Sequence, residues 1–233
     1  MKILVSANAQ KDLQFATGLE CIPLKPYGKL DAPVASHADM LFCILDRTVF
    51  CYEDYVRENS LEEVFVSLGY SLCYVKKPCA PEYPGDIALN VLIMGKTLFC
   101  KLDSVAEEIM KYANLNGYKT VDVKQGYAAC STLALDENKA ITSDVGIYNA
   151  LLREGKDALF VYSDDIELKG YNCGFIGGAS GMFLKDAYFF GDLFEVKDFE
   201  IIADFIDKSG FNYKLTSLDK LNDFGGFKLI YKL

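Results

Sequence analysis

Residues 86–123 read DIALNVLIMGKTLFCKLDSVAEEIMKYANLNGYKTVDV, and this stretch decides the fold because the rest of the chain repeats it. A loop from Asp86 to Asn90 leads into an apolar strand over 91–94, the chain turns at Gly95-Lys96, and a second strand covers 97–100. A helix follows. Ser104 stands three residues before Glu107, the spacing of a capping box, in which a hydroxyl and a carboxylate each satisfy a free backbone N–H. Val105, Ile109, Met110 and Ala113 recur at three- and four-residue intervals, so one helix face packs on the strands. Gly117 ends the helix, because a residue without Cβ accepts the left-handed conformation, and 118–123 alternates as a third strand.

The helix-ending glycine recurs. Gly69, Gly155 and Gly210 each precede a strand as Gly117 does, and Gly18 does the same near the start of the chain. Hairpins precede these helices at 41–51, 91–100, 133–142 and 182–190. Four hairpins therefore serve five helices, and the missing one is divided between 227–231 at the C-terminus and 3–5 at the N-terminus. Pairing those two segments closes the array into a ring and removes the sheet edges that an open array exposes. A repeat of roughly 40 to 50 residues sets the fold class: an α/β ring of five units.

Size and composition set the remaining bounds. With 233 residues, 51% of them apolar, and no linker-like stretch, the chain reads as a single domain over 1–233. The apolar run at Met1–Ala7 is too short for a signal peptide, and no run long enough for a membrane span occurs, so a soluble, cytoplasmic protein is expected. Eight cysteines fit that expectation, since Cys43, Cys51, Cys73 and Cys100 lie in apolar strand patterns where a reduced thiol acts as a small hydrophobe. Neither a C-x-x-C pair nor a second histidine is present, and no metal or other cofactor is implied. A net charge of -9 without a Lys/Arg block argues against nucleic acid. It favours a cationic small molecule, although solubility alone also accounts for an acidic balance. The sequence does not fix an oligomeric state.

In a ring of such units, the loops that precede equivalent strands gather at one end of the axis. They carry the candidate site: His37 and Asp39, Asp86 and Asn90, Cys130 and Ser131, Ser180, and Asp223. Loops on a rigid scaffold commonly carry binding and catalytic groups. Each candidate has a structural alternative. His37 is an acid/base or a loop histidine bonded to Asp39; Cys130 is a nucleophile or a thiol packed under its loop; Asp86 and Asn90 hold a ligand or stabilise turns. Gly174, Gly177 and Gly178 either admit a phosphate or carboxylate to backbone N–H groups or form a tight connector, since no P-loop Lys-Ser/Thr follows them.

Tyr83-Pro84-Gly85-Asp86, Lys124-Gln125-Gly126-Tyr127, Ile141-Thr142-Ser143-Asp144 and Gly174-Phe175-Ile176-Gly177-Gly178, set in five units, resemble the pentein or guanidino-group-modifying enzyme fold, closest to an uncharacterised bacterial subgroup. The resemblance implies a fivefold α/β propeller closed by its N- and C-terminal strands. That family includes arginine and agmatine deiminases, dimethylarginine hydrolases and amidinotransferases, and also a non-enzymatic ribosome anti-association factor. His37-Ala38-Asp39 resembles the deiminase His-x-Asp, whose histidine acts as general acid/base and whose aspartate grips the guanidinium. Paired carboxylates suit a planar cation, and a thiolate attacks its central carbon. The family's cysteine follows a glycine-rich turn in the last unit. Here 223–228 contains none, and Cys130 does not occupy that position.

Two functions follow as expectations. One is a cysteine-dependent hydrolase or transferase acting on a guanidine or amidine, with Cys130 attacking, His37 moving protons, and Asp39 and Asp86 gripping the cation, helped by Asn90, Ser131, Ser180 and Asp223. The other is a non-catalytic pentein that binds a small ligand or a protein partner at the same end of the ring.

Overall fold

The computed structural model describes residues 1–232. The first unit's missing hairpin strand leaves β1 (Lys2–Ser6), α1 (Gln10–Thr17) and β2 (Glu20–Leu24) at the N-terminus. The next unit holds a short α2 (Ala38–Leu41), the hairpin β3 (Phe42–Leu45) and β4 (Thr48–Cys51), a helix broken into α3 (Glu53–Glu58) and α4 (Leu61–Ser67), and β5 (Ser71–Tyr74). Its successor comprises β6 (Leu92–Met94), β7 (Thr97–Cys100), α5 (Glu107–Leu115) and β8 (Lys119–Asp122). Then come β9 (Thr132–Ala134), β10 (Lys139–Thr142), α6 (Val145–Arg153) and β11 (Asp157–Phe160), followed by β12 (Ser180–Phe183), β13 (Asp186–Phe189), α7 (Phe199–Lys208) and β14 (Asn212–Leu215). The last strand is β15 (Phe227–Ile230).

These strands form five three-stranded sheets of one design: an antiparallel pair, then a third strand parallel to the middle one after a helical crossover. The exception in chain order completes the ring. β15 lies antiparallel to β1, with Lys2↔Ile230, Ile3↔Leu229, Leu4↔Lys228 and Val5↔Phe227 as partners, so the fifth hairpin is built from the two ends. The middle strands are the buried ones. Ile3, Leu4 and Val5 of β1 and Leu98, Phe99 and Cys100 of β7 are fully enclosed, because helices cover one face and neighbouring units the other. Each helix adds a narrow stripe: Leu13 from α1, Phe65 from α4, Ile109 and Ala113 from α5, Ile147 and Leu151 from α6, Ile202 and Ile206 from α7. Leu152 of α6 and Ile201 of α7, apolar neighbours of these stripe residues in sequence, face outward.

Gly18, Gly69, Gly117, Gly155 and Gly210 all have φ between 68° and 81°, the left-handed exit that their place after each helix predicts. The capping box at Ser104 does not form, nor does one at Ser60, which stands at the same spacing before Glu63. Ser104 closes a turn on Lys101, its hydroxyl donates to Asp103 Oδ1 at 2.6 Å, and Ala106 is the N-cap of α5. Ser60 sits in the left-handed region at φ 55° between α3 and α4, where its hydroxyl cannot reach the first N–H groups of α4. Asp144 does cap α6, accepting from the Ile147 N–H at 2.8 Å. Asp198 stands at the start of α7, but its carboxylate accepts from the Tyr162 N–H instead.

Successive inner strands β6, β9, β12 and β15 pack side by side, and α2 bridges β15 to β3. The segments entering these strands therefore converge at one end of the ring. No helix among the described residues is long and apolar enough to cross a membrane.

Candidate functional site

The convergence begins at His37, the N-cap of α2, whose backbone N–H bonds to the Val34 carbonyl. Asp39, the second residue of α2, donates its N–H to the Gly225 carbonyl at 3.2 Å, which fixes the last unit's turn against the first complete one. Gly225 has φ 76°, and a Cβ there would stand 2.1 Å from His37 Cβ, so glycine is required both by conformation and by the approach. Asp223 precedes that turn. Its Oδ1 accepts from the Gly225 N–H at 3.0 Å and its Oδ2 from the Phe175 N–H at 2.9 Å. His37 Nδ1 lies 3.7 Å from Asp223 Oδ1, an ionic approach too long for a hydrogen bond.

Asn90 ties the next two units together. Its Oδ1 accepts from the Ala129 N–H at 2.8 Å, and its Nδ2 donates to Cys130 Sγ at 3.1 Å while lying 3.4 Å from the Asp39 carbonyl. Asp86 accepts from the Tyr127 hydroxyl at 2.6 Å. Ser131 and Ser180 turn their hydroxyls onto backbone carbonyls, those of Tyr127 and Ile176. All eight sequence candidates are thus buried, and six of them fall in three groups: His37 with Asp223, Asp39 with Asn90 and Cys130, and Asp86 with Tyr127.

The glycine-rich connector holds an internal anion. The Phe175 N–H is taken by Asp223, the Gly178 N–H by the Cys130 carbonyl at 2.8 Å, and a Cβ on Gly178 would stand 1.9 Å from Asp223 Oδ1. The connector is a tight one, closed around the chain's own carboxylate.

Burial dominates the electrostatics. Asp223 is pushed up to about 6, by burial and by Asp39, against the pull of His37. Asp39 also rises, because burial outweighs the attraction of His37 and Lys228, and Asp86 rises by burial despite its Tyr127 bond. The Cys130 thiol is held well above its ordinary value by burial and by the nearby Asp39 and Asp223 carboxylates. A thiol that attacks needs the opposite shift. Near neutral pH, iodoacetamide should therefore modify the half-buried Cys173 well before Cys130, and His37→Ala should leave the Cys130 rate unchanged. Peptide mass spectrometry over a time course reads both rates; rapid Cys130 labelling that His37→Ala slows would restore the nucleophile.

Three polar atoms of the site are buried without a hydrogen-bond partner among the described residues: His37 Nδ1, Asp39 Oδ1 and Asp86 Oδ1. Two cavities reach the cluster. An axial one of about 250 Å³ lies between β6, β9, β12 and β15, with Asp39 and Lys228 in its wall. A lateral one of about 420 Å³ touches His37, Asp223 and the buried Ser6–Ser36 hydroxyl pair. Lys228, Tyr127, Ser6 and Ser36 were not candidates from sequence. Tyr127 lies within a quoted motif, while Lys228 reads as an ordinary alternating position of a terminal strand. No group of three or more His, Cys, Asp and Glu side chains among the described residues is placed to hold a metal ion.

A family of unknown function, DUF6873, matches residues 4–227. The chain belongs to that family. Curated protein sequences give no match. Among solved structures, this DUF6873 chain is similar to an amidinotransferase from Microseira wollei in the saxitoxin biosynthetic pathway, at 12% identity and TM-score 0.61, over 93% of this chain and 88% of that one. It is also similar to a dimethylarginine dimethylaminohydrolase from Pseudomonas aeruginosa complexed with citrulline, at 9% identity and TM-score 0.59, over 94% and 91% of the two chains. The agmatine deiminase of C. jejuni matches at 13% identity and TM-score 0.52, over 93% and 74%. At such identities the likeness establishes the fold alone: the DUF6873 chain has the pentein fold, with the fivefold pseudo-symmetric α/β arrangement of those structures.

Proposed function

We propose that this site binds a small guanidinium or amidinium cation through its buried carboxylates, without thiol chemistry at Cys130. The observation that carries the reading is Asp39 Oδ1, a buried acceptor without a partner in the wall of the axial cavity. A buried acceptor left unpaired costs about 1–3 kcal/mol, and a planar cation supplies both the donors and the charge. Asp86 Oδ1 is likewise buried without a partner, although Asp86 lies outside the wall of that cavity. Enzymes of the same fold act on agmatine and dimethylarginine, which are guanidino compounds, and this supports the ligand class. The reading that makes Cys130 the attacking group is disfavoured, because that thiol is buried, bonded by Asn90 and held protonated by two carboxylates.

Thermal unfolding with arginine, agmatine and guanidine tests the proposal. Ligand at 100 times its Kd stabilises by about 2.7 kcal/mol, which raises the Tm of a chain this size by about 5–10 °C. Asp39→Asn should remove most of that rise and Asp86→Asn part of it. No shift with any of the three compounds, or a shift indifferent to Asp39→Asn, overturns the proposal.

A further inference from the structure

The axial cavity contains two charged side chains, Asp39 and Lys228, and the cation reading uses only the first. Lys228 is half-buried on β15, forms no ion pair within 4 Å among the described residues, and is near enough to Asp39 to oppose the rise in that carboxyl's proton affinity. The rest of the wall is largely apolar or glycine, with Leu92, Leu133, Met182 and Phe227 as its larger side chains. No cysteine lines it. Two hydroxyls do, and both are committed as donors, Thr132 to Thr142 Oγ1 at 3.0 Å and Ser180 to the Ile176 carbonyl at 2.6 Å. The amine of Lys228 is the one uncommitted nucleophile in the cavity.

We propose that Lys228 captures a small aldehyde or 2-oxo acid in the axial cavity as an imine, with Asp39 moving the protons. The inference goes beyond cation binding, since its ligand is a carbonyl compound without a guanidinium. The balance closes within the cavity. Once the Lys228 ammonium has passed a proton to the Asp39 carboxylate, the neutral amine adds to the carbonyl carbon, a C–N bond forms as the C–O π bond breaks, and the oxygen takes the proton of the Asp39 carboxyl. The nitrogen then returns a proton to Asp39, giving a neutral carbinolamine. Asp39 next protonates the hydroxyl, the C–O bond breaks, and water leaves an iminium beside the Asp39 carboxylate. Amine, carboxyl and carbonyl compound become iminium, carboxylate and water, with no change of oxidation state. Burial raises the proton affinity of the Asp39 carboxyl, which is the direction both proton transfers require. At roughly 30 Å³ per water, the cavity holds about eight water-sized groups, which limits the ligand to a compound of similar size.

The test treats the full chain with limiting glyoxylate or pyruvate, reduces with cyanoborohydride, and locates the label by peptide mass spectrometry. Lys228 should be labelled at least about tenfold faster than the exposed Lys111 and Lys208, because a positioned acid contributes from about a hundredfold upward in favourable cases. Asp39→Asn should slow Lys228 capture by about a hundredfold while the labelling of Lys111 stays constant. Lys228→Arg should abolish the cavity label with unfolding still cooperative. Label distributed by exposure, with Lys228 no faster than Lys111, overturns the proposal. So does preferential Lys228 labelling that Asp39→Asn leaves unchanged.

Discussion

A chain ending at Gly226 is expected to lose cooperative folding. The truncation removes β15, and with it the antiparallel partner of β1 along Ile3, Leu4 and Val5, which are fully enclosed in the intact ring. An exposed, apolar strand edge is both a loss of hydrogen bonds and a template for aggregation. The packing loss is of the same order as the whole stability. Phe227 sits edge-on to Phe190 at 6.3 Å, Leu229 packs on the same cluster, and Ile230 is fully buried. Burying such side chains contributes roughly 1.5–3 kcal/mol each, against a total of about 5–15 kcal/mol for a domain. The C-terminus is held further by Arg47, which bonds the Tyr231 carbonyl at 2.9 Å while its guanidinium lies 3.8 Å from the Tyr70 ring centroid. Urea unfolding followed by far-UV circular dichroism gives the comparison; a truncated chain with an unchanged cooperative midpoint would refute ring closure as the source of stability.

The closure was legible because it follows from counting. Five helix-ending glycines and four hairpins leave one hairpin to be shared by the ends, and a repeat supplies that arithmetic whatever the details of each copy. The capping boxes failed for the opposite reason: Ser60 and Ser104 satisfy a local spacing rule, but the preceding turn decides which residue enters the helix. The polar residues of the site could be named because each opens a unit. What they do to one another could not. Asp39 and Asp223 reach Cys130 only through the ring, and their two carboxylates, with burial, turn an apparent nucleophile into a protonated thiol. Lys228 was invisible for a geometric reason, since a lysine in a terminal strand reads as solvent-facing and here the wall it joins is that of a central cavity.

Gly178→Ala should be strongly destabilising. The φ of Gly178 is not in the left-handed region, so alanine meets no backbone penalty there and the contact alone is tested. The new Cβ would stand 1.9 Å from Asp223 Oδ1 and 2.4 Å from its Cγ, and the carboxylate must move. Moving it breaks its bonds from Phe175 and Gly225 and its approach to His37. Overpacking costs about 1–3 kcal/mol and an unpaired buried donor about as much again, so a Tm loss of about 5–15 °C is expected. Gly210→Ala is the control: nothing lies within 4 Å of its Cβ, and φ 81° predicts only left-handed strain of about 1–2 kcal/mol. A pH series separates crowding at Asp223 from crowding elsewhere. Asp223 holds its proton more tightly folded, at about 6, than an unfolded aspartate does at about 3.9, so its contribution is present at low pH and is lost as pH rises through 6. Release of Asp223 toward water should lower that affinity and flatten the decline between about pH 4 and 6 in the Gly178→Ala protein alone. An alanine variant as stable as Gly210→Ala, with the parent's pH slope intact, would mean that the connector does not enclose Asp223 as described.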